Sequence, residues 1–232
     1  MRTSAPLSSS HVCGSLQNLV VFDLDGTLTR CDTYRSFLIY CLRRRPSRFL
    51  RSALLPLDIL RFKLRLKDNA WLKMRFLTAI MGGAGESELR PLIGGFVDRT
   101  LARGMRRGAL DVLAQHRAAE DWLVLLSASP DIYVYEIAAR LGFTQCLSTR
   151  CECDALSRLT GRLDGANCYG VEKRRRLEDS LGKSRAELHI IAYADHASDL
   201  PLLTWADEAV LVNPTRRTRR TFAGHPVTVV SW

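Results

Sequence analysis

This 232-residue chain lacks any run of about eighteen apolar residues, the length needed to cross a bilayer as a helix. It also lacks the apolar core of a secretory signal: residues 1–17 are polar and Ser-rich and read as a loose leader. There is no internal repeat, and no low-complexity tract beyond that leader. Cysteines 13, 31, 41, 146, 151, 153 and 168 form an odd, scattered set, which argues against a disulfide framework and for a reducing compartment, the cytoplasm. Cys151 and Cys153 lack the two-residue spacer usual for zinc, so even with Cys146, Cys168 and His189 as further candidates the thiols read as ordinary. Acidic residues are in deficit, 24 against 34 Lys and Arg, giving a formal charge of +10. That charge implies attraction to an anionic partner without choosing among nucleic acid, membrane surface and phosphorylated substrate.

What the chain does have is apolar content: 47% of its residues are hydrophobic, enough to build a real core for one large domain or for one domain carrying a smaller inserted one. Short apolar runs at 18–24, 122–128, 188–194, 208–213 and 227–232 read as buried strands. Helical patterns start at 108 and 130 between them, the latter closing on Gly142. The alternation predicts an α/β fold with a parallel, Rossmann-like sheet covered on both faces. Residues 31–107 carry long helical patterns and no strand, so the core is assigned to 18–30 and 108–232 around an inserted all-helical cap. Within the cap, Leu72, Phe76 and Ile80 are expected to face inward, Pro56 to break any long helix, and the Gly-rich 81–85 to be an interhelical turn. Residues 147–163 are expected to form a hairpin around 154–158.

In open α/β sheets the site lies beyond the carboxyl ends of the strands. There the first run delivers Asp23 and Asp25, the second Ser127, and the third Asp195 with Asp199, while a later helix start offers Lys173. Singly each could be a helix cap or a solvated charge. Together, four carboxylates would repel one another unless a divalent cation sat among them. Oxygen-only ligands suit Mg²⁺, and a hard ion beside a free carboxylate, a hydroxyl and an ammonium is equipped for phosphoryl transfer.

The residues "DLDGTLT" at 23–29 with their preceding strand, a serine ending a second strand, a downstream lysine and "ADHASD" at 194–199 resemble the four motifs of the haloacid dehalogenase superfamily, in its phosphoserine-phosphatase-like branch with a helical cap. The resemblance implies a Mg²⁺-dependent phosphatase, with Asp23 as nucleophile forming an aspartyl phosphate and Asp25 as general acid and base. It further implies that Thr27, Ser127, Ala128 and Lys173 hold the phosphoryl group. The metal would sit on Asp23, the main-chain carbonyl of Asp25, Asp195 and Asp199. Ala194 stands where the family usually has glycine, and "SASPD" at 127–131 differs from the Ser-Gly-Gly of phosphoserine phosphatases.

Residues 41–68 combine nine basic side chains with apolar patches, a composition that can lie at an anionic lipid interface or pack its leucines inward and solvate its arginines. The start of the chain from Phe22 to Pro46 also resembles phosphatidylglycerophosphatases of this superfamily. Three readings therefore stand: a phosphatase for a phosphorylated lipid headgroup in peripheral contact with the inner membrane, a soluble small-metabolite phosphatase, and a nucleic-acid-binding scaffold. The basic runs at 43, 173 and 216 carry no interleaved aromatics, so nucleic acid is the least expected partner.

Overall fold

The computed structural model describes residues 16–232. Its strands, in chain order, are β1 (Gln17–Phe22), β2 (Trp122–Pro130), β3 (Gln145–Thr149), β4 (Cys151–Cys153), β5 (Leu159–Leu163), β6 (Leu188–Ala194), β7 (Glu208–Val212) and β8 (Thr228–Val230). Six of them form one parallel sheet in the order β3-β2-β1-β6-β7-β8, while β4 and β5 make a separate antiparallel hairpin. Both faces of the sheet are covered, which is why its strands read as unbroken apolar runs. Along β1, Val20 and Phe22 join Leu113 and Ile137 in one core, whereas Leu19 and Val21 join Leu177 and Leu203 in the other. Each such side chain contributes roughly 1.5–3 kcal/mol on full burial.

The helices are α1 (Thr33–Arg44), α2 (Leu55–Lys63), α3 (Asn69–Met81), α4 (Glu86–Arg103), α5 (Arg107–Ala118), α6 (Asp131–Leu141), α7 (Val171–Ser180), α8 (Leu200–Leu203) and α9 (Arg216–Thr221). The first five lie between β1 and β2. Because β2 pairs on one side of β1 and β6 on the other, the strand order reverses at β1, and a crevice opens at the carboxyl ends of these three strands.

Several expectations shift in detail. β2 runs on to Pro130, and β3 takes up residues 147–149 that were expected in the hairpin; the shorter turn survives because Asp154 accepts the N–H groups of Leu156 and Arg158 at 2.9 Å. Pro56 does not divide a long helix but sits in the first turn of α2, after two 3₁₀ turns at 46–48 and 50–52. In α3 the buried line is Lys73, Leu77, Ile80 and Met81, so Ile80 faces inward as expected, Phe76 packs against the core from its edge, and a lysine occupies a core-facing register. Leu72 and Phe76 are half-buried.

Candidate active site

The chain leaves β1 at Phe22 and enters a tight loop over 24–28. Gly26 has φ +86, and a Cβ built there would lie 2.1 Å from Asp195 Oδ2. Only glycine allows the loop to come this close to the end of β6. The Asp23 N–H is fixed by the Tyr193 carbonyl at 2.9 Å, which aims the Asp23 side chain over the strand ends.

Asp23, Asp195 and Asp199 converge there, with one carboxylate oxygen from each lying within 4.8 Å of the others. Lys173, at the start of α7, donates from Nζ to Asp23 Oδ1 at 2.6 Å and meets Asp199 Oδ1 at 2.9 Å. All of these except Asp195 are buried. Burial pushes the Asp23 carboxyl up; Lys173 opposes that shift, and Asp199, Asp195 and Asp25 add to it. Burial, then Asp199, raises Asp195 to about 6. Burial disfavours the Lys173 ammonium, but Asp199 and Asp23 reverse the effect and hold it above its usual value.

Three carboxylates facing one ammonium leave an excess of two negative charges when all are ionised. An all-oxygen donor set with that excess, two of whose members are pushed toward protonation by burial and mutual repulsion, fits a hard divalent cation such as Mg²⁺.

Asp25 faces elsewhere. Its Oδ1 accepts the Thr33 N–H at 2.5 Å and its Oδ2 the Ser129 hydroxyl at 2.6 Å, so its side chain lies outside the carboxylate cluster. Burial raises its carboxyl, against these hydrogen bonds from Ser129 and Thr33. A carboxyl that is held in place and easily protonated can serve as acid and base in turn.

The remaining expected residues divide. Lys173 and Ala128 line a cavity of about 570 Å³ together with Asp23, Asp25, Asp195 and Asp199. Thr27, expected at the phosphoryl group, is fully buried, and its hydroxyl donates to Asp23 Oδ2 at 3.1 Å, which orients that carboxylate. Ser127, expected to hold a phosphoryl oxygen, lies deeper: it is fully buried and its Oγ accepts the Ser129 N–H at 3.0 Å. Ala128 and Ser129, the next residues of β2, line the cavity instead.

Three further residues at the cavity were not expected. Ser129 holds Asp25. Arg106 ties the 24–29 loop by donating from Nε to the Gly26 carbonyl at 3.0 Å and the Thr29 carbonyl at 3.2 Å. Lys73 reaches down from α3 to the Ala128 carbonyl at 2.5 Å and Asn167 Oδ1 at 2.6 Å, and burial pushes its amine down to about 8. Its one sequence signal was a charge amid the apolar residues of α3, "NAWLKMRFLTAIM".

The family model described as haloacid dehalogenase-like hydrolase matches residues 20–204. Protein CicA of Caulobacter vibrioides is 30% identical over 191 residues, covering 82% of this chain and 83% of that protein. A phosphoserine phosphatase of Mycobacterium tuberculosis is 30% identical over 143 residues, 61% of this chain and 46% of that one. Among solved structures, a Bordetella pertussis protein of unknown function superposes with a TM-score of 0.80 at 22% identity, covering 93% of this chain and 99% of that one. With this match over most of its length, the chain belongs to the haloacid dehalogenase-like hydrolases and is a phosphoric monoester hydrolase.

Proposed function

We propose that the chain hydrolyses a phosphate monoester on a lipid headgroup at an anionic membrane surface, through an aspartyl phosphate on Asp23. The observation that carries the lipid reading is the outer face of the segment between α1 and α3. There Leu50, Leu54, Leu57, Leu60, Leu64 and Leu66 are exposed, Leu50 by 84%, although α2 buries Asp58. Asp58 is held by Arg61 at 3.2 Å and Arg75 at 2.8 Å, and it is the one acid between Arg43 and Lys67. Exposed leucines rimmed by Arg and Lys form a surface suited to the headgroup boundary, where each basic side chain adds roughly 1 kcal/mol. The segment leads directly into Asn69, which lines the catalytic cavity. Among the described residues, no helix is long and apolar enough to cross a membrane.

In the first step a carboxylate oxygen of Asp23 bonds to phosphorus as the ester P–O bond breaks, and Asp25 gives its proton to the departing alcohol oxygen. In the second, Asp25 takes a proton from water, the water oxygen bonds to phosphorus, and Asp23 is released. Thr27 and Lys173 orient Asp23, Lys173 also neutralises charge on the phosphoryl oxygens, and Ser129 sets the position of Asp25. Mg²⁺, held by Asp23, Asp195, Asp199 and the main-chain carbonyl of Asp25, would supply further charge neutralisation at those oxygens.

A second reading, a soluble phosphorylated metabolite, is favoured by the polar wall that Asp32, Tyr34, Asn69 and Lys73 give the cavity. Phosphate release from a phosphorylated glycerolipid in anionic vesicles, compared with release from free phosphoserine, separates the two. The lipid reading expects turnover of the lipid that stops in EDTA and returns with Mg²⁺. It also expects Leu57→Ser/Leu60→Ser to lower vesicle turnover at least tenfold while sparing p-nitrophenyl phosphate. Turnover of the soluble ester alone, with no vesicle binding, would establish the second reading instead.

A further inference from the structure

A second cavity, of about 440 Å³, lies between α1 and α4. Arg43 and Arg44 reach it from the last turn of α1, and Arg99 and Arg103 from the end of α4. Among the described residues none of these four makes an ion pair or side-chain hydrogen bond, whereas Arg45, Arg61, Arg75 and Arg140 each hold a carboxylate. Among the described residues no acidic side chain lines the cavity, and Asp98, beside Arg99 in the chain, is engaged by Arg140 at 2.5 Å. Ile39, Tyr40 and Phe96 add apolar surface, and the Arg44 guanidinium lies 3.9 Å from the Tyr40 ring centroid.

Four exposed guanidiniums lining one concave site with no acidic partner make a strongly positive surface. A guanidinium is a planar fork that matches phosphate oxygens two at a time, and it is weakly hydrated, so a ligand with several phosphate oxygens would satisfy this set. The apolar side chains favour a ligand with a ring or chain beside its charge.

We propose that this cleft binds an organic phosphate carrying two or more negative charges next to an apolar group. The site is distinct from the catalytic one, since the two cavities share Cys31 alone. They are nevertheless neighbours: two residues beyond Cys31, Thr33 lines the cleft while its N–H holds Asp25. An occupant of the cleft therefore rests on the segment that positions Asp25.

Calorimetric titration of the full chain with ADP, a short-chain phosphatidate below its micelle concentration, and pyrophosphate tests the assignment. ADP or the phosphatidate should bind, more tightly than pyrophosphate, and the tighter of the two identifies the apolar part as ring or acyl chain. Arg99→Ala/Arg103→Ala should weaken that binding at least tenfold with an unchanged thermal midpoint, because both side chains are exposed. Both lie outside the leucine-bearing segment, so the result is independent of membrane docking. Failure of ADP and the phosphatidate to bind, equal affinity in the double variant, or pyrophosphate binding as tightly as ADP would overturn the proposal.

Discussion

The floor of the candidate active-site cavity and the outer face of the segment between α1 and α3 are opposites in charge and burial. The floor gathers Asp23, Asp195 and Asp199 around Lys173, negative in balance and largely buried. The outer face from Phe49 to Lys67 is positive, apolar and exposed. On the floor each charge is defined by its neighbours, so displacing one atom disturbs the rest. On the outer face few side chains have partners within the molecule, and their meaning depends on what approaches from outside.

Substitutions on the floor should therefore cost chemistry in large factors. Asp23→Asn is expected to lower phosphate release by about 10⁴-fold or more, with an unchanged circular dichroism spectrum. Turnover within tenfold of wild type would reject Asp23 as nucleophile. Gly26→Ala should cost on the order of 10²-fold, because the new Cβ would meet Asp195 Oδ2 at 2.1 Å and a backbone at φ +86 resists a side chain. A Mg²⁺ titration of activity shifted to higher concentration would locate the damage at Asp195.

Lys73 lies at the cavity on the side of α3, and its effect should be smaller and dependent on pH. Burial holds its amine at about 8 in the folded chain, below the unfolded value of about 10.4. The folded protein thus releases this proton first, and the burial cost is fully present below pH 8 and relieved as pH rises from about 8 to 10. The thermal midpoint of the wild type should rise relative to Lys73→Met between pH 7 and pH 10. A constant difference across that range would mean that the amine is not desolvated.

The basic run that opens α7 shows why the sequence was legible in some places and not in others. In α7, Arg174 pairs with Glu178, Arg175 with Glu172 and Asp179, and Arg176 with Glu172, all at helical spacing and so visible in the sequence. Lys173 leaves that run to cross to Asp23, 150 residues away, which spacing alone does not show. The same limit applies to Ser127: its place on β2 was legible, whereas its full burial and its acceptance of the Ser129 N–H were not. Lys73 was missed because a helical pattern is read by its apolar residues, and here a lysine shares the inward line with Leu77, Ile80 and Met81.

By itself the sequence determined the α/β class and the residue types at the strand ends. Apolar runs separated by helical patterns have few ways to bury both faces, and polar residues placed where those runs stop have to sit at the sheet's edge. The tertiary structure decided which oxygen faces which nitrogen, that Asp25 turns to Ser129 and Thr33 rather than joining the carboxylate cluster, and that Leu50, Leu54, Leu57, Leu60, Leu64 and Leu66 point outward while Leu55 is buried. Those outcomes depend on register and helix rotation, which are fixed by contacts between segments far apart in the chain.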